Sequence, residues 1–163
     1  MAAETLSVVD LLPSRFEPLR KNRWLLRIEG IDAYLLKTAA RPSYNMNPIE
    51  LDWINSTRYL AGKVKFDSLE IVLHDPIAPS GAQQVMEWTR LITEHVSGRS
   101  GYADFYKRDI QLVMLDPVGT VVQLWDIKGA FLESVNYGSL DYADAEAADI
   151  TISIKFDIAT LQF

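Results

Sequence analysis

The 163-residue chain contains no cysteine, which removes disulfides, thiolate zinc sites and thiol nucleophiles at once. Histidine is almost as scarce, at two residues, so general acid–base chemistry and metal ligation have few candidates. No apolar run reaches the ~18 residues needed to span a bilayer. The opening stretch "MAAETLSVVDLLPSRFEPLRKNRW" has no basic region ahead of an apolar one, so a signal peptide is not expected. Positive charge is also in deficit. With 16 basic against 22 acidic side chains the net charge is −6, which disfavours a generic affinity for nucleic-acid phosphate or an anionic membrane.

What is present is an ordinary globular composition, 48% hydrophobic and 23% charged, in a length that suits one domain. Residues Met1 to Leu19 carry Pro13 and Pro18 among scattered apolar positions and read as an irregular arm, leaving 20–163 as the domain. "NRWLLRIEG" and "DAYLLKTAA" read as two strands joined at Gly30 into a first hairpin. "SLEIVLHD" is a strand stopped by Pro76 and Pro79. A helix starts at Ser80, where Ser80 and Gln83 have capping-box spacing; Val85, Trp88, Ile92 and Val96 form its apolar stripe and Gly98 ends it.

"RDIQLVMLD" and "VVQLWDIKGAFLESV" flank "PVG" as a second hairpin. The last segment, "DITISIKFDIATLQF", alternates. Ile150, Ile152, Ile154, Phe156 and Ile158 are expected on one face, and Thr151, Ser153, Lys155 and Asp157 on the other. About seven or eight strands and one helix predict an antiparallel β-sandwich or barrel with a flanking α-helix.

Catalytic signatures are thin. His74 beside Asp75 has the makings of half a dyad or a metal ligand, but the plainer reading is a strand-end histidine beside a turn-starting aspartate. His95 is read as a cap at the helix C-terminus. The stretch Gly98-Arg99-Ser100-Gly101-Tyr102 lacks the lysine ending of a phosphate loop and follows a helix instead of opening one, so it reads as a connection. Trp24, Trp88 and Trp125 suit core positions. No catalytic residue, metal ligand or cofactor is assigned.

The segment "NPIELDWINSTRYLAGK" is different. Ile49, Leu51 and Trp53 alternate with Glu50 and Asp52, and Tyr59 and Ala61 with Arg58 and Leu60, so both faces of a ribbon carry apolar groups. Either it is a well-covered central hairpin, or one face packs on its own domain and the other on a neighbouring copy. On the second reading Ile49, Leu51, Trp53, Ile54, Arg58, Tyr59 and Leu60 form an inter-subunit interface.

The succession of "NRWLLRI" with "YLLKTAARPSYN", "INSTRYLAGKVKFDSLEIVLHDP", the helix "AQQVMEWTRLI", "FYKRDIQLVMLDPVGTVVQLWDIKGAFLESVNYGSLDY" and "ADITISIKFDIATLQF" resembles the tail tube protein of contractile-tailed bacteriophages of the T4 type, over about residues 20–163. That family is related to the secreted tube protein of type VI secretion systems. The resemblance implies a small barrel-like sandwich, six copies to a ring, rings stacked into a tube, and DNA passing through the lumen inside a contractile sheath. It implies as partners further copies of the chain, the tail sheath, baseplate and tail terminator proteins, and the tape measure protein and DNA held non-specifically in the lumen. It places the protein in the virion, assembled in the host cytoplasm, with no cofactor, no enzymatic activity and no membrane contact. If each of six subunits gives four strands to one inner barrel, strands ~4.8 Å apart and tilted ~40° close at a backbone diameter of ~50 Å, leaving a lumen of ~40 Å. A repeated charge of −6 then makes a wall along which a duplex slides. In that setting the Met1–Leu19 arm is expected between rings, and Thr151, Ser153, Lys155 and Asp157 on the lumen or the outer face. Two other readings compete: the tube of a phage-derived injection device, such as an R-type bacteriocin or a type VI needle, and a carbohydrate-binding sandwich using Trp53 and Tyr59, with a hydrolase using His74 more remote.

Overall fold

A computed structural model describes residues 16–163, so most of the arm expected over Met1–Leu19 lies outside the described residues. The elements run β1 (Trp24–Ile28), a 3-10 turn (Ala33–Leu35), β2 (Leu36–Ala39), β3 (Tyr44–Met46), β4 (Ile49–Trp53), β5 (Ser56–Leu60), β6 (Val64–Phe66), β7 (Leu69–His74), α1 (Gly81–Ile92), α2 (Ala103–Tyr106), β8 (Arg108–Leu115), β9 (Val121–Asn136), β10 (Asp149–Lys155) and β11 (Ile158–Leu161). All strand pairs are antiparallel. The expected class, mainly β with one flanking helix, is what the chain adopts.

The main sheet runs β1-β8-β9-β10-β7-β2, with β11 also beside β9. β9 is its spine. Its first half lies between β8 and β11, and its second half pairs with β10. The two halves meet at Gly129, whose φ of 68° no side-chain-bearing residue adopts cheaply, and where a Cβ would lie 2.1 Å from Asp157 Oδ2. This change of direction curls the sheet around one core of Leu26, Ile71, Leu73, Ile110, Ile127 and Ile152, covered by Val85 and Trp88 of α1.

The β8–β9 hairpin forms as expected. The first hairpin does not. β1 pairs with β8 and β2 with β7, so the two segments sit in different parts of the sheet. The turn at Gly30 is followed not by a returning strand but by the 3-10 turn that sends Leu35 into the core at 1% exposure, and this redirects the chain.

α1 begins where expected, with Ser80 Oγ accepting from Gln83 N at 3.4 Å. The second arm of the cap comes from Asp75, whose Oδ1 accepts from Ala82 N at 3.1 Å and from the Ser80 hydroxyl at 3.2 Å. α1 ends at Ile92, not Gly98. The Ile92 carbonyl is taken by Gly101 N at 3.0 Å, and Thr93 bridges to Ser100, so the chain folds back on itself. Val96 therefore leaves the stripe at 97% exposure, and His95 lies beyond the helix instead of capping it.

The alternation of the last segment holds through Ile150, Ile152, Ile154 and Phe156, all buried. Ile158 departs from it. The chain leaves β10 at Phe156 and re-enters beside β9 as β11, which resets the faces and leaves Ile158 49% exposed. Trp88 is fully buried, while Trp24 and Trp125 are half-buried against the core.

Asp149, at the head of β10, ties three strands together. It accepts from Lys37 Nζ of β2 and lies 3.0 Å from His74 Nδ1 of β7. The hydrogen bond from Lys37, with that residue's charge and the contact to His74, holds its carboxyl below the ordinary aspartate range against a smaller opposing effect of burial. As pH falls the unfolded chain takes up this proton first. The stabilisation is therefore complete above about pH 4 and drains away as pH drops through the lowered folded value. Asp149→Asn is expected to lower the urea midpoint at pH 7 and to lower it less at pH 3. An equal loss at both values would exclude the link.

Candidate functional site: an exposed ribbon

Strands β3 to β6 form no part of the main sheet. Among the described residues β3 pairs only with β6, and β4 only with β5, making a two-stranded arm between Tyr44 and Phe66. Its foot is anchored. Phe66 lies 5.4 Å from the Phe156 ring and 5.9 Å from Tyr44, Lys155 Nζ donates to the Phe66 carbonyl at 2.7 Å, and Ser43 Oγ donates to Asp67 at 3.0 Å. Above the foot the two chains cross closely. A Cβ on Gly62 would lie 1.7 Å from the Asn47 carbonyl oxygen, so only glycine fits.

Beyond that neck every residue of β4 and β5 is exposed. The expectation that one face packs on its own domain is thus overturned, as is the covered central hairpin: the neck carries the arm away from the sheet. Ile49, Leu51, Trp53, Tyr59 and Leu60 stand 52%, 46%, 70%, 64% and 54% exposed. A two-stranded ribbon is marginal alone in water, and apolar side chains concentrated on one mark a surface that awaits a partner.

Register sorts the two faces, which alternation within each strand does not. Ile49 stands opposite Leu60, Leu51 opposite Arg58 and Trp53 opposite Ser56; Glu50 stands opposite Tyr59 and Asp52 opposite Thr57. One face therefore gathers Ile49, Leu51, Trp53 and Leu60 around Arg58. The other is acidic, with Tyr59 beside Glu50 and with Asp52 accepting from Thr57 Oγ1 at 3.1 Å. The sequence reading of two half-apolar faces becomes one apolar and one acidic face. At the tip Ile54 adopts φ 41° and is 97% exposed. A β-branched residue is an outlier there, and a strained apolar tip is a feature to be explained by function.

The other polar candidates lie on the main sheet. Thr151, Ser153 and Lys155 alternate with the buried isoleucines of β10 and so share the face turned from the core. Ser153 Oγ lies 3.3 Å from Glu133 Oε2, which also accepts from Ser68 Oγ. The Ser68 hydrogen bond chiefly holds the Glu133 carboxyl below its usual range, helped by Ser153 and by the charge of Lys155. Lys155 serves the foot of the arm. Asp157 falls in the β10–β11 link and takes the Lys107 ammonium at 2.6 Å. His74 meets Asp149, not Asp75, which is occupied in capping α1. Among the described residues no group of three His, Asp or Glu side chains is placed to hold a metal ion.

Sequence reasoning missed the foot and the neck. Tyr44, Phe66, Lys155 and Gly62 carry the arm, and the signals for them were a glycine between two strand-like runs and an aromatic residue at each outer end.

No family model and no curated protein matches the chain. Solved structures do. A chain of the anti-feeding prophage cap, the tube-terminating cap, superposes with a TM-score of 0.70 at 21% identity, covering 96% of this chain and 99% of that one. A chain of the sheath–tube complex of PVC, an extracellular contractile injection system in its extended state, gives 0.67 at 19% identity over 97% and 99%. Hcp1 from Flavobacterium johnsoniae gives 0.51 at 11% identity over 86% and 94%. The fold shared with these structures is the Hcp-like tube fold of contractile injection systems.

Proposed function

We propose that this protein is a structural subunit of the inner tube of a contractile tail, with six copies closing a ring and rings stacking inside a sheath. The observation that carries the reading is the arm: a chain with a tube-type fold holds out an apolar ribbon face of Ile49, Leu51, Trp53 and Leu60 that none of the described residues covers. Ile54 and Arg58 belong to the same contact, and Tyr59 borders it. Among the described residues β1 and β2 are the outer strands of the main sheet path, a second feature that assembly would relieve, because unpaired edges invite pairing with another chain. The polar face of Thr151, Ser153 and Lys155, with Asp157 beyond it, is assigned to the lumen or the outer wall. The Met1–Leu19 arm is assigned to contacts between rings.

The partners on this reading are further copies, a sheath, a baseplate, a terminator and the tape measure protein. The sixfold-symmetrised baseplate of the anti-feeding prophage supports the ring number. A phage tail that conducts DNA, located in the virion, is the form that the charge of −6 favours, since such a wall repels phosphate. The likeness to the anti-feeding prophage and PVC structures supports the second form, an injection device without DNA.

Negative-stain microscopy of the purified full chain at rising concentration tests the common core of both forms. Hollow sixfold rings and stacks of them are expected. A chain that remains a monomer at every concentration overturns the reading.

A further inference from the structure

A pocket of about 290 Å³ opens where β1 begins, β8 ends and the chain leaves β2. Its lining combines apolar Leu19, Trp24 and Met114 with cationic Arg20, Lys21 and Arg41, and among the described residues no acidic group lines it. The acidic neighbour of Arg20 is Glu17, at 4.0 Å with both side chains about 60% exposed, a contact that neutralises little. An apolar hollow with a cationic rim selects an acidic segment that presents an apolar side chain.

The loop between β9 and β10 is such a segment. Over residues 137–148 it carries Asp141, Asp144 and Glu146 and no basic residue. Leu140 and Tyr142 stand 92% and 111% exposed on it. The loop is shaped by its own carboxylates, with Asp141 Oδ1 accepting from Ala143 N and Asp144 Oδ1 from Glu146 N, both at 3.0 Å.

Pocket and loop lie at opposite ends of β9. Met114 of the pocket pairs with Gln123 near the start of the strand, whereas the loop leaves from Asn136 at its end. Pocket and loop are separate surfaces that share no lining residue, so the loop of one copy and the pocket of another can meet. We propose that the acidic loop of one copy docks in the cationic pocket of the next, with Leu140 or Tyr142 entering the hollow. Because donor and acceptor surfaces differ, the contact repeats and propagates as a ring or a stack. The inference stands on the pocket and the loop, and adds a named contact to the assembly reading.

The cysteine-free sequence gives a clean test. Full-length Tyr142→Cys and Leu19→Cys chains are mixed under copper–phenanthroline oxidation, with Tyr142→Cys and Ile77→Cys as the control pair. Ile77 is fully exposed but follows β7 at the loop's end of the molecule. The first pair is expected to give at least about tenfold more disulfide heterodimer than the control, and the yield should fall in 1 M salt or when Arg20→Glu and Arg41→Glu are added to the Leu19→Cys chain. Equal yields from the two pairs, or indifference to the charge reversals, overturn the proposal. Rings without this cross-link sink the proposal and leave the tube reading standing; the cross-link without rings upholds the contact and removes the tube.

Discussion

Replacing Leu51 and Trp53 together by aspartate is expected to abolish ring formation and leave the subunit folded. Both side chains lie on the apolar face of the arm, 46% and 70% exposed, so neither contributes to the core. Unfolding stability should change by no more than about 0.5 kcal/mol, as at other surface sites. Association should change far more. An aromatic anchor such as Trp53 at the centre of an interface carries ~2 kcal/mol or more, and two buried carboxylates facing an apolar partner add a desolvation penalty of a few kcal/mol. Together these weaken assembly by at least about a thousandfold. Sedimentation velocity and microscopy read the assembly, and thermal unfolding reads the fold. Thr57→Ala, on the acidic face, is the internal comparison and should assemble nearly as the parent does. Rings of the double variant at the parent's concentration would end the assignment of this face to a neighbouring copy.

Why the segment between Asn47 and Lys63 stood out while its two faces were misjudged is a matter of register. Alternation along one strand is local and visible: Ile49, Leu51 and Trp53 against Glu50 and Asp52. Which residues of β5 join them depends on the length of the turn at Ile54 and Asn55, because a one-residue shift exchanges the faces. With Trp53 opposite Ser56, Leu60 and Arg58 fall in with the apolar set and Tyr59 with the acids. The β8–β9 hairpin was legible for the opposite reason, since its turn and both strands are contiguous. β1 and β2 misled because each satisfies its ladder with a strand far along the chain, β8 and β7, and nothing within "NRWLLRIEGIDAYLLK" distinguishes a strand that pairs locally from one that does not. The helix end was lost to a similar distant effect: Ile92 gives its carbonyl to Gly101, and a Cβ at Gly101 would lie 2.2 Å from the Leu91 oxygen. No local propensity encodes that return.

The second large effect falls on the fold itself. Trp88→Ala is expected to cost about 3–5 kcal/mol, a large part of the ~5–15 kcal/mol by which a domain is ordinarily stable. Trp88 is fully buried beneath the sheet, its Nε1 donates to the Tyr106 carbonyl at 2.8 Å, and the Arg108 guanidinium lies 4.6 Å from the ring centroid. Removing the indole opens a cavity, orphans that carbonyl and strips a half-buried cation of its aromatic partner, so three losses coincide. Trp88→Phe keeps most of the area and loses the hydrogen bond, and should cost roughly 1–2 kcal/mol. Urea unfolding measures both. Trp53→Ala, by the same measurement, should be nearly silent, although it deletes the same side chain. If the two tryptophans proved equally costly to fold stability, the arm would have to be packed on its own domain, and the case for a neighbour on its apolar face would fall with it.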